Sequence, residues 1–425
     1  MLKLNIYIYS AIIAASSPAF AEEKVSDLCQ FNIRRSDAVD FPSKHAWNLF
    51  MYLNHPADKK TGRRDKPDCS IPIGTPGTTV QWEAWRHADE VFLSDGSEPP
   101  DFDQKSSDEF SPGKIPEALF TLGGKGFASF HDLSRNFVKR GPPNSNGVSP
   151  MFAPDGVFNN GGGETRMNRS TYQFIKDNCL WSAQGQQRYA RAILEGKKKD
   201  ISFPSESIEV KAMWIDFAAQ SISEENQSTY YTAEYNGKKY GLSSLHIITK
   251  DIPNWYWATF HHADAPKNDF GTPDEAGMPD LLKKTVWKNY RLGGVQIDFV
   301  KPTGEPTILS DPYVENGFER SSCITCHATS TISQDGSRGP TQQMAICLLT
   351  PDTPGLGLSV DRCKSLIGEK YFSDGKLDVE RGAPLPEWYV KGGKTAYFQT
   401  DFLYSLTFRT QGKNETKPAP ARCNW

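Results

Sequence analysis

The first clear periodicity along the chain is helical. Apolar side chains recur every three or four residues in three stretches, which predicts three helices that each bury one face. These helices cover residues 43–53, a segment beginning near Ser170, and residues 184–195. Ser43 can cap the first of them, and Gly196 ends the last.

From about residue 205 the period shortens to two, which is typical of half-buried strands. Asn236 and Gly237 separate two of these runs and predict a β-hairpin with a type I′ turn. The alternation therefore predicts an antiparallel sheet. Its strands are expected at residues 208–214, 230–235, 238–248, 255–260 and 295–299.

Together these patterns predict an α+β protein without internal repeats. We expect a helical and loop-rich part over residues 22–204, an antiparallel β-rich part over 205–310, and a C-terminal segment over 311–425, all packed as one unit. Clusters of Pro, Gly and Asn predict irregular structure over residues 136–163.

A glycine-rich run at residues 161–168 lies at the end of the irregular segment. It lacks the G-K-[ST] ending of a phosphate-binding loop, and no strand is predicted before it. We interpret it as a tight turn that positions Glu164 and Arg166.

The N-terminus carries the pattern of an export signal. Lys3 precedes an apolar run over residues 6–15, and Ala19 to Ala21 form a small-x-small cleavage site. The run is too short to span a bilayer, so no transmembrane anchor is expected. The sequence therefore predicts cleavage after Ala21 and a periplasmic protein.

Charge and cysteine content refine this picture. The chain has 48 Lys and Arg against 51 Asp and Glu, and removal of Lys3 with the signal leaves 47 against 51, a net charge of −4. This balance argues against nucleic acid as a partner. Six of the eight cysteines lie outside the motif described next, which predicts up to three disulfides in an oxidising compartment. Cys347 and Cys363 form the favoured local pair.

The strongest chemical signal is Cys323-Ile-Thr-Cys326-His327, which has the C-x-x-C-H pattern of c-type haem attachment. Two thiols at this spacing reach the two vinyl groups of one porphyrin, and the adjacent imidazole becomes the proximal iron ligand. A thioredoxin-like pair, a zinc half-site and a disulfide beside an unrelated histidine are the alternatives. No second Cys or His pair completes a zinc site, and no βαβ unit surrounds the motif.

Four segments of the chain resemble a known group of proteins. The resemblance is to the large exported bacterial mono-haem proteins of the cytochrome c family, and it extends over residues 45–330. It implies covalent haem and electron transfer, but it supplies no substrate. The segments are residues 161–168, 245–250, 255–262 and 322–327.

A haem that carries electrons usually has a second axial ligand, Met or His. His246 is favoured because it lies within an apolar strand, where an unpaired imidazole is costly to bury. Met344 and His262 are alternatives, as is an open sixth position. Arg166 is a candidate partner for a haem propionate. Three further residues are considered as ligands: His261, Met167 and Met278.

The leading functional prediction is a periplasmic mono-haem cytochrome that transfers single electrons to or from a redox protein or a small molecule. The long stretch before the motif also allows a haem-dependent oxidoreductase, peroxidase-like or a dehydrogenase subunit, and a third reading is a non-enzymatic haem sensor or scaffold. No motif for a non-haem reaction is present, and Glu83 and Glu90 are interpreted as solvated helix charges.

Overall fold

The computed structural model of the protein describes residue 29 and twelve further ranges. The predicted export signal, residues 1–21, lies outside them, as do residues 136–160. The ranges are 35–107, 111–114, 161–218, 222–235, 237–265, 271–311, 315, 320–337, 339–349, 359–379, 382–410 and 415–425.

Within these ranges the chain forms ten α-helices and a seven-stranded antiparallel sheet, so the predicted α+β class is confirmed. The helices are α1 Asp37–Asp40, α2 Pro42–Leu53, α3 Ala88–Val91, α4 Arg169–Asp177, α5 Ala183–Leu194, α6 Glu224–Gln227, α7 Cys323–His327, α8 Gln342–Cys347, α9 Val360–Ile367 and α10 Tyr404–Thr410.

The strands of the sheet lie in the order β1-β2-β3-β5-β6-β7, and β4 pairs with the first half of β5. They are β1 Arg86–His87, β2 Gly161–Met167, β3 Ile208–Asp216, β4 Thr232–Tyr235, β5 Lys238–Thr249, β6 Tyr256–His262 and β7 Tyr290–Gln296. Three two-stranded ribbons are also antiparallel: β8 Thr331–Ile332 with β13 Phe398–Gln399, β9 Phe372–Ser373 with β10 Lys376–Leu377, and β11 Val390–Lys391 with β12 Lys394–Thr395.

The predicted hairpin is present, since β4 and β5 pair across a turn in which Gly237 has φ +70°. Asn236 lies outside the described residues. The last predicted strand, over 295–299, is displaced, because β7 ends at Gln296. Gly293 and Gly294 lie inside β7, beside a shift in its register with β6, and such glycines are a poor strand signal.

Strand β2 corrects the prediction of a tight turn over residues 161–168. Its residues pair one to one with β3 along the whole strand. A Cβ atom on Gly163 would lie only 2.6 Å from the sulfur of Met213, so a larger residue there would require the Met213 side chain to move. This segment is therefore a strand and not a turn.

Helix α2 begins at Pro42, one residue earlier than predicted, and Ser43 lies inside its first turn and makes no cap. Proline is favoured at the first helical position because its missing N–H would have no intrahelical partner there. The other two predicted helices, α4 and α5, are capped by Asn168 and Ser182.

Glu83 and Glu90 are buried, which corrects their interpretation as solvated charges. Glu83 accepts hydrogen bonds from the Val80 amide, at 3.0 Å, and from the hydroxyl of Tyr231. Burial raises the pKa of Glu83 to about 7. Glu90 pairs with Arg86 at 2.6 Å. Each carboxyl is buried together with its partners, which local sequence spacing does not reveal.

All six cysteines outside the C-x-x-C-H motif form disulfides, and the predicted local pair Cys347–Cys363 is one of them. The other two are Cys29–Cys69 and Cys179–Cys423.

In the described part of the chain, no helix combines the length and apolarity needed to cross a membrane.

Candidate haem site

The central sheet has two chemically different faces. Residues directly opposite each other on neighbouring strands project to the same face. One face is apolar and carries Val210 of β3, Ile247 of β5 and Ala258 of β6. This face packs against α2, where the ring centroids of Phe50 and Phe260 are 4.4 Å apart. The other face carries Lys211 of β3, His246 of β5 and Thr259 of β6, which lie opposite one another and are each adjacent in sequence to a residue of the first face.

Helix α7, which carries the C-x-x-C-H motif, docks on the polar face. The side chain of Gln296 accepts the Ile324 amide hydrogen at 3.1 Å and donates to the hydroxyl of Ser322 at 2.6 Å. Trp257 lies opposite Gln296 in the sheet and meets the ring of His327 edge-on, at 4.7 Å between centroids. These contacts place His327 against the sheet, although the motif is remote in sequence from β6.

Cys323 and Cys326 are free thiols in a chain whose other cysteines are all paired. Their spacing of three residues places them on one side of α7. Burial, strengthened by the nearby carboxyl of Glu315, raises the pKa of Cys326 to about 12 and that of Cys323 well above its usual range. Both sulfurs are therefore protonated at neutral pH.

His327 is oriented by a hydrogen bond from its Nδ1 to the backbone carbonyl of Phe402, at 2.7 Å. A carbonyl only accepts, so Nδ1 carries the hydrogen and Nε2 has the free lone pair. Burial lowers the pKa of His327 to about 4, so its imidazole is neutral at pH 7. Neutral imidazole with the second nitrogen bonded to a carbonyl is the usual state of a metal-ligating histidine.

His246 stands on the same polar face. Its Nδ1 lies 3.3 Å from the hydroxyl of Thr259, and its Nε2 lies 3.8 Å from a carboxylate oxygen of Asp311. Burial, together with the neighbouring Lys211, His261 and His327, lowers the pKa of His246 to about 3. Among the described residues the buried Nε2 has no hydrogen-bond partner. In the tautomer in which Nδ1 donates to the hydroxyl of Thr259, this nitrogen has a lone pair for a ligand.

Acidic groups complete the surroundings of the motif. The hydroxyl of Ser244 donates to Asp311 at 3.3 Å, and the Asp311 amide donates to the carboxyl of Glu315 at 2.7 Å. Burial and the charge of Asp311 raise the pKa of Glu315 to about 8. The polar face thus collects a lysine, two histidines and two carboxyl groups beside the two thiols.

The residues present fit a covalently attached haem. Two unpaired thiols share one side of a helix, the adjacent imidazole is neutral and held through Nδ1, and a second, partly buried imidazole on the facing sheet has a nitrogen without a partner among the described residues. When bound, haem supplies the Fe(III)/Fe(II) couple, and the protein supplies attachment, axial ligation and a controlled environment.

The other predicted ligands have other neighbours, although α8, the helix that carries Met344, contacts α7. Met344 packs into the cluster around the Cys347–Cys363 disulfide. His262 lies on the apolar face, stacked on Tyr230 at 3.6 Å between centroids, and both of its nitrogens have backbone partners. Adjacent positions of β6 point to opposite faces, so of His261 and His262 only His261 shares the face of His246.

Arg166 is also placed away from the motif, which corrects its interpretation as a propionate partner. It lies opposite Val210 and therefore on the apolar face of the sheet. Its guanidinium is fully buried, with Nε 2.7 Å from Glu164 and one terminal nitrogen donating to the carbonyls of Glu83 and Trp85 at 2.7 and 3.1 Å. Arg166 is thus a structural residue that joins β2 to the segment before β1.

Sequence reasoning did not identify Lys211, Gln296, Trp257 or Phe402 as site residues. Lys211 and Gln296 are polar positions within alternating strands, and this pattern could have indicated them. A polar residue on a sheet face that another element covers needs a polar neighbour in that element. Phe402 contributes a backbone carbonyl, and no side-chain pattern marks that group.

The chain matches no protein-family model, no curated protein and no solved structure. In the ranges that the structure describes, no group of three or more His, Cys, Asp or Glu side chains is arranged to hold a metal ion directly.

Proposed function

We propose that this chain is an exported c-type cytochrome of the periplasm that binds one haem and transfers single electrons. Cys323 and Cys326 attach the haem, and His327 is its proximal ligand. The sequence resemblance to exported mono-haem cytochrome c family proteins supports the same function. The partner is a redox protein or a small-molecule electron donor or acceptor.

The observation that carries the proposal is the state of the C-x-x-C-H motif. Six cysteines are paired in three disulfides, whereas the two in the motif remain thiols on one side of a short helix. A redox disulfide or a zinc site does not require the next residue to be a neutral imidazole fixed through Nδ1, whereas a proximal haem ligand does. The thiols and the imidazole together are what haem attachment uses.

The proposal is tested by expressing the full chain, with its N-terminal segment, in a bacterium that has a c-type haem maturation system. Extraction of the purified protein with acidified acetone is expected to leave the haem on the protein, and the pyridine haemochrome assay is expected to give one haem c per chain. A protein without covalent haem under conditions that mature a control cytochrome would disprove the proposal.

His246 is proposed as the sixth ligand, because its Nε2 is buried without a hydrogen-bond partner in the described part of the chain and its ring lies near enough to His327 for the two to influence each other electrostatically. The variant His246→Ala is expected to change the reduced visible spectrum from low-spin to high-spin and to gain rapid CO binding. His262→Gln is the matched control, since it removes an imidazole from the opposite face of the same sheet. Unchanged low-spin spectra in the His246 variant contradict the assignment.

A haem-dependent oxidoreductase is a second candidate, favoured by the acid and base groups around His246. Lys211, Asp311 and Glu315 could exchange protons with a small molecule bound at an open sixth position. In that case the wild-type protein binds CO and reacts with peroxide before any substitution. A six-coordinate wild-type protein that is inert to both supports the electron carrier instead.

A further inference from the structure

The carbonyl that holds His327 lies in an unusual piece of backbone. Asp401 and Phe402 have φ values of +50° and +70°, the left-handed region that residues other than glycine rarely adopt. Two consecutive residues in this conformation turn the chain sharply just before α10. The turn directs the Phe402 carbonyl at the Nδ1 of His327, which is 2.7 Å away.

A buried ion pair holds this turn. One carboxylate oxygen of Asp401 accepts from Lys250 at 2.6 Å, and the other accepts the Phe203 amide hydrogen at 2.7 Å. The side chains of Lys250 and Asp401 are only 11% and 8% exposed. Lys250 also donates to the carbonyl of Pro253 at 2.8 Å, so the pair links the turn to the loop that precedes β6.

The turn is tied to the haem motif from the other side as well. The amide of Thr400 donates to the carbonyl of Ser330 at 3.0 Å, and the two hydroxyls are 2.6 Å apart. Ser330 lies three residues after His327, the last residue of α7, in the segment that leads to β8. The carbonyl of Phe402 is therefore fixed relative to both the sheet and the motif, in a conformation that the backbone does not favour by itself.

We propose that Lys250 and Asp401 are positioning residues that set the redox potential of the haem by holding the Phe402 carbonyl on His327. This inference rests on the proposed function. A hydrogen bond from Nδ1 to a carbonyl increases the electron density that imidazole donates to iron, which stabilises the ferric state. When the ion pair is lost, the strained turn relaxes, the hydrogen bond weakens and the ferrous state is favoured.

The test uses Lys250→Met and Asp401→Asn in the full chain. Asparagine keeps an oxygen for the Phe203 amide but removes the charge, so it is the milder change. Both variants are expected to retain one covalent haem and to shift the ferric–ferrous equilibrium about three- to tenfold toward the ferrous form. The shift is measured by optical titration against redox mediators, and Lys250→Arg, which keeps the cation, is expected to restore most of the wild-type potential.

One control separates positioning from general destabilisation. Glu90→Gln disrupts a buried ion pair with Arg86 and is expected to lower the unfolding temperature without changing the potential.

The outcomes distinguish the two proposals. Variants of Lys250 and Asp401 that carry haem c but have the wild-type potential overturn the positioning role and leave the proposed function intact. A potential that rises with Glu90→Gln as much as with Asp401→Asn also overturns it. A wild-type chain without covalent haem overturns the proposed function itself.

Discussion

A variant carrying both Cys323→Ala and Cys326→Ala is expected to retain no covalently bound haem. In the proposed attachment each thiol would add across one vinyl group, so that a carbon–sulfur bond would form, the thiol hydrogen would move to the neighbouring carbon, and no oxidant would be consumed. Without either sulfur the haem is held only by His327 and by packing. Acidified acetone is then expected to extract all of it, as measured by haemochrome assay of the protein and solvent fractions.

The matched control removes two other sulfurs, one from α8 and one from α9. Cys347→Ala with Cys363→Ala breaks the disulfide between α8 and α9, and α8 packs on Cys326 through Ala345 and Ile346. Loss of this disulfide is expected to cost about 2–5 kcal/mol of stability while the haem stays covalently attached. Covalent haem in the Cys323 and Cys326 double variant would rule out the attachment site.

Replacing Arg166 by Met is expected to lower the free energy of unfolding by about 3–5 kcal/mol, because the change removes one partner of a buried ion pair. The carboxylate of Glu164 would keep only the indole N–H of Trp214, at 3.0 Å, as a side-chain donor. The carbonyls of Glu83 and Trp85 would lose theirs. Urea unfolding followed by circular dichroism measures the effect.

Arg169→Met is the control for this variant. Arg169 lies three residues further along and pairs with Asp65 and Asp103, but its side chain is 35% exposed. Its removal is expected to cost about 1 kcal/mol or less, since exposed ion pairs contribute little. Both variants are expected to keep the wild-type redox potential. A small stability loss for Arg166→Met together with a shifted potential would instead support contact with a propionate.

Local patterns were sufficient for three of the ten described helices, α2, α4 and α5, and for four of the seven described strands of the sheet. Helix α5 and the β4–β5 hairpin follow from spacing and turn residues, because these elements are stabilised by neighbours in sequence. The disulfide Cys347–Cys363 joins residues only 16 apart and was predicted for the same reason. Strand β2 was missed because three consecutive glycines are a poor strand signal, whereas its pairing with β3 is a contact that no local pattern encodes.

The C-x-x-C-H motif was evident from the sequence because its chemistry depends on five consecutive residues. The face of the sheet that receives it was decided only by the tertiary structure, since Lys211, His246 and Trp257 come from three strands. The tertiary structure also decided on which face of the sheet Arg166 lies, because this depends on the register of β2 with β3. Sequence spacing determines which residues share a strand face, but not which element covers that face.

The sequence by itself therefore determined the thiols, the adjacent imidazole and the order of the main elements. Tertiary structure decided that the Nδ1 of His327 meets the carbonyl of Phe402, 75 residues away, through a left-handed turn held by Lys250 and Asp401. The physical reason is that a backbone carbonyl has no side-chain signature. Its direction is set by contacts among distant parts of the chain, which exist only once the sheet and the C-terminal segment have packed together.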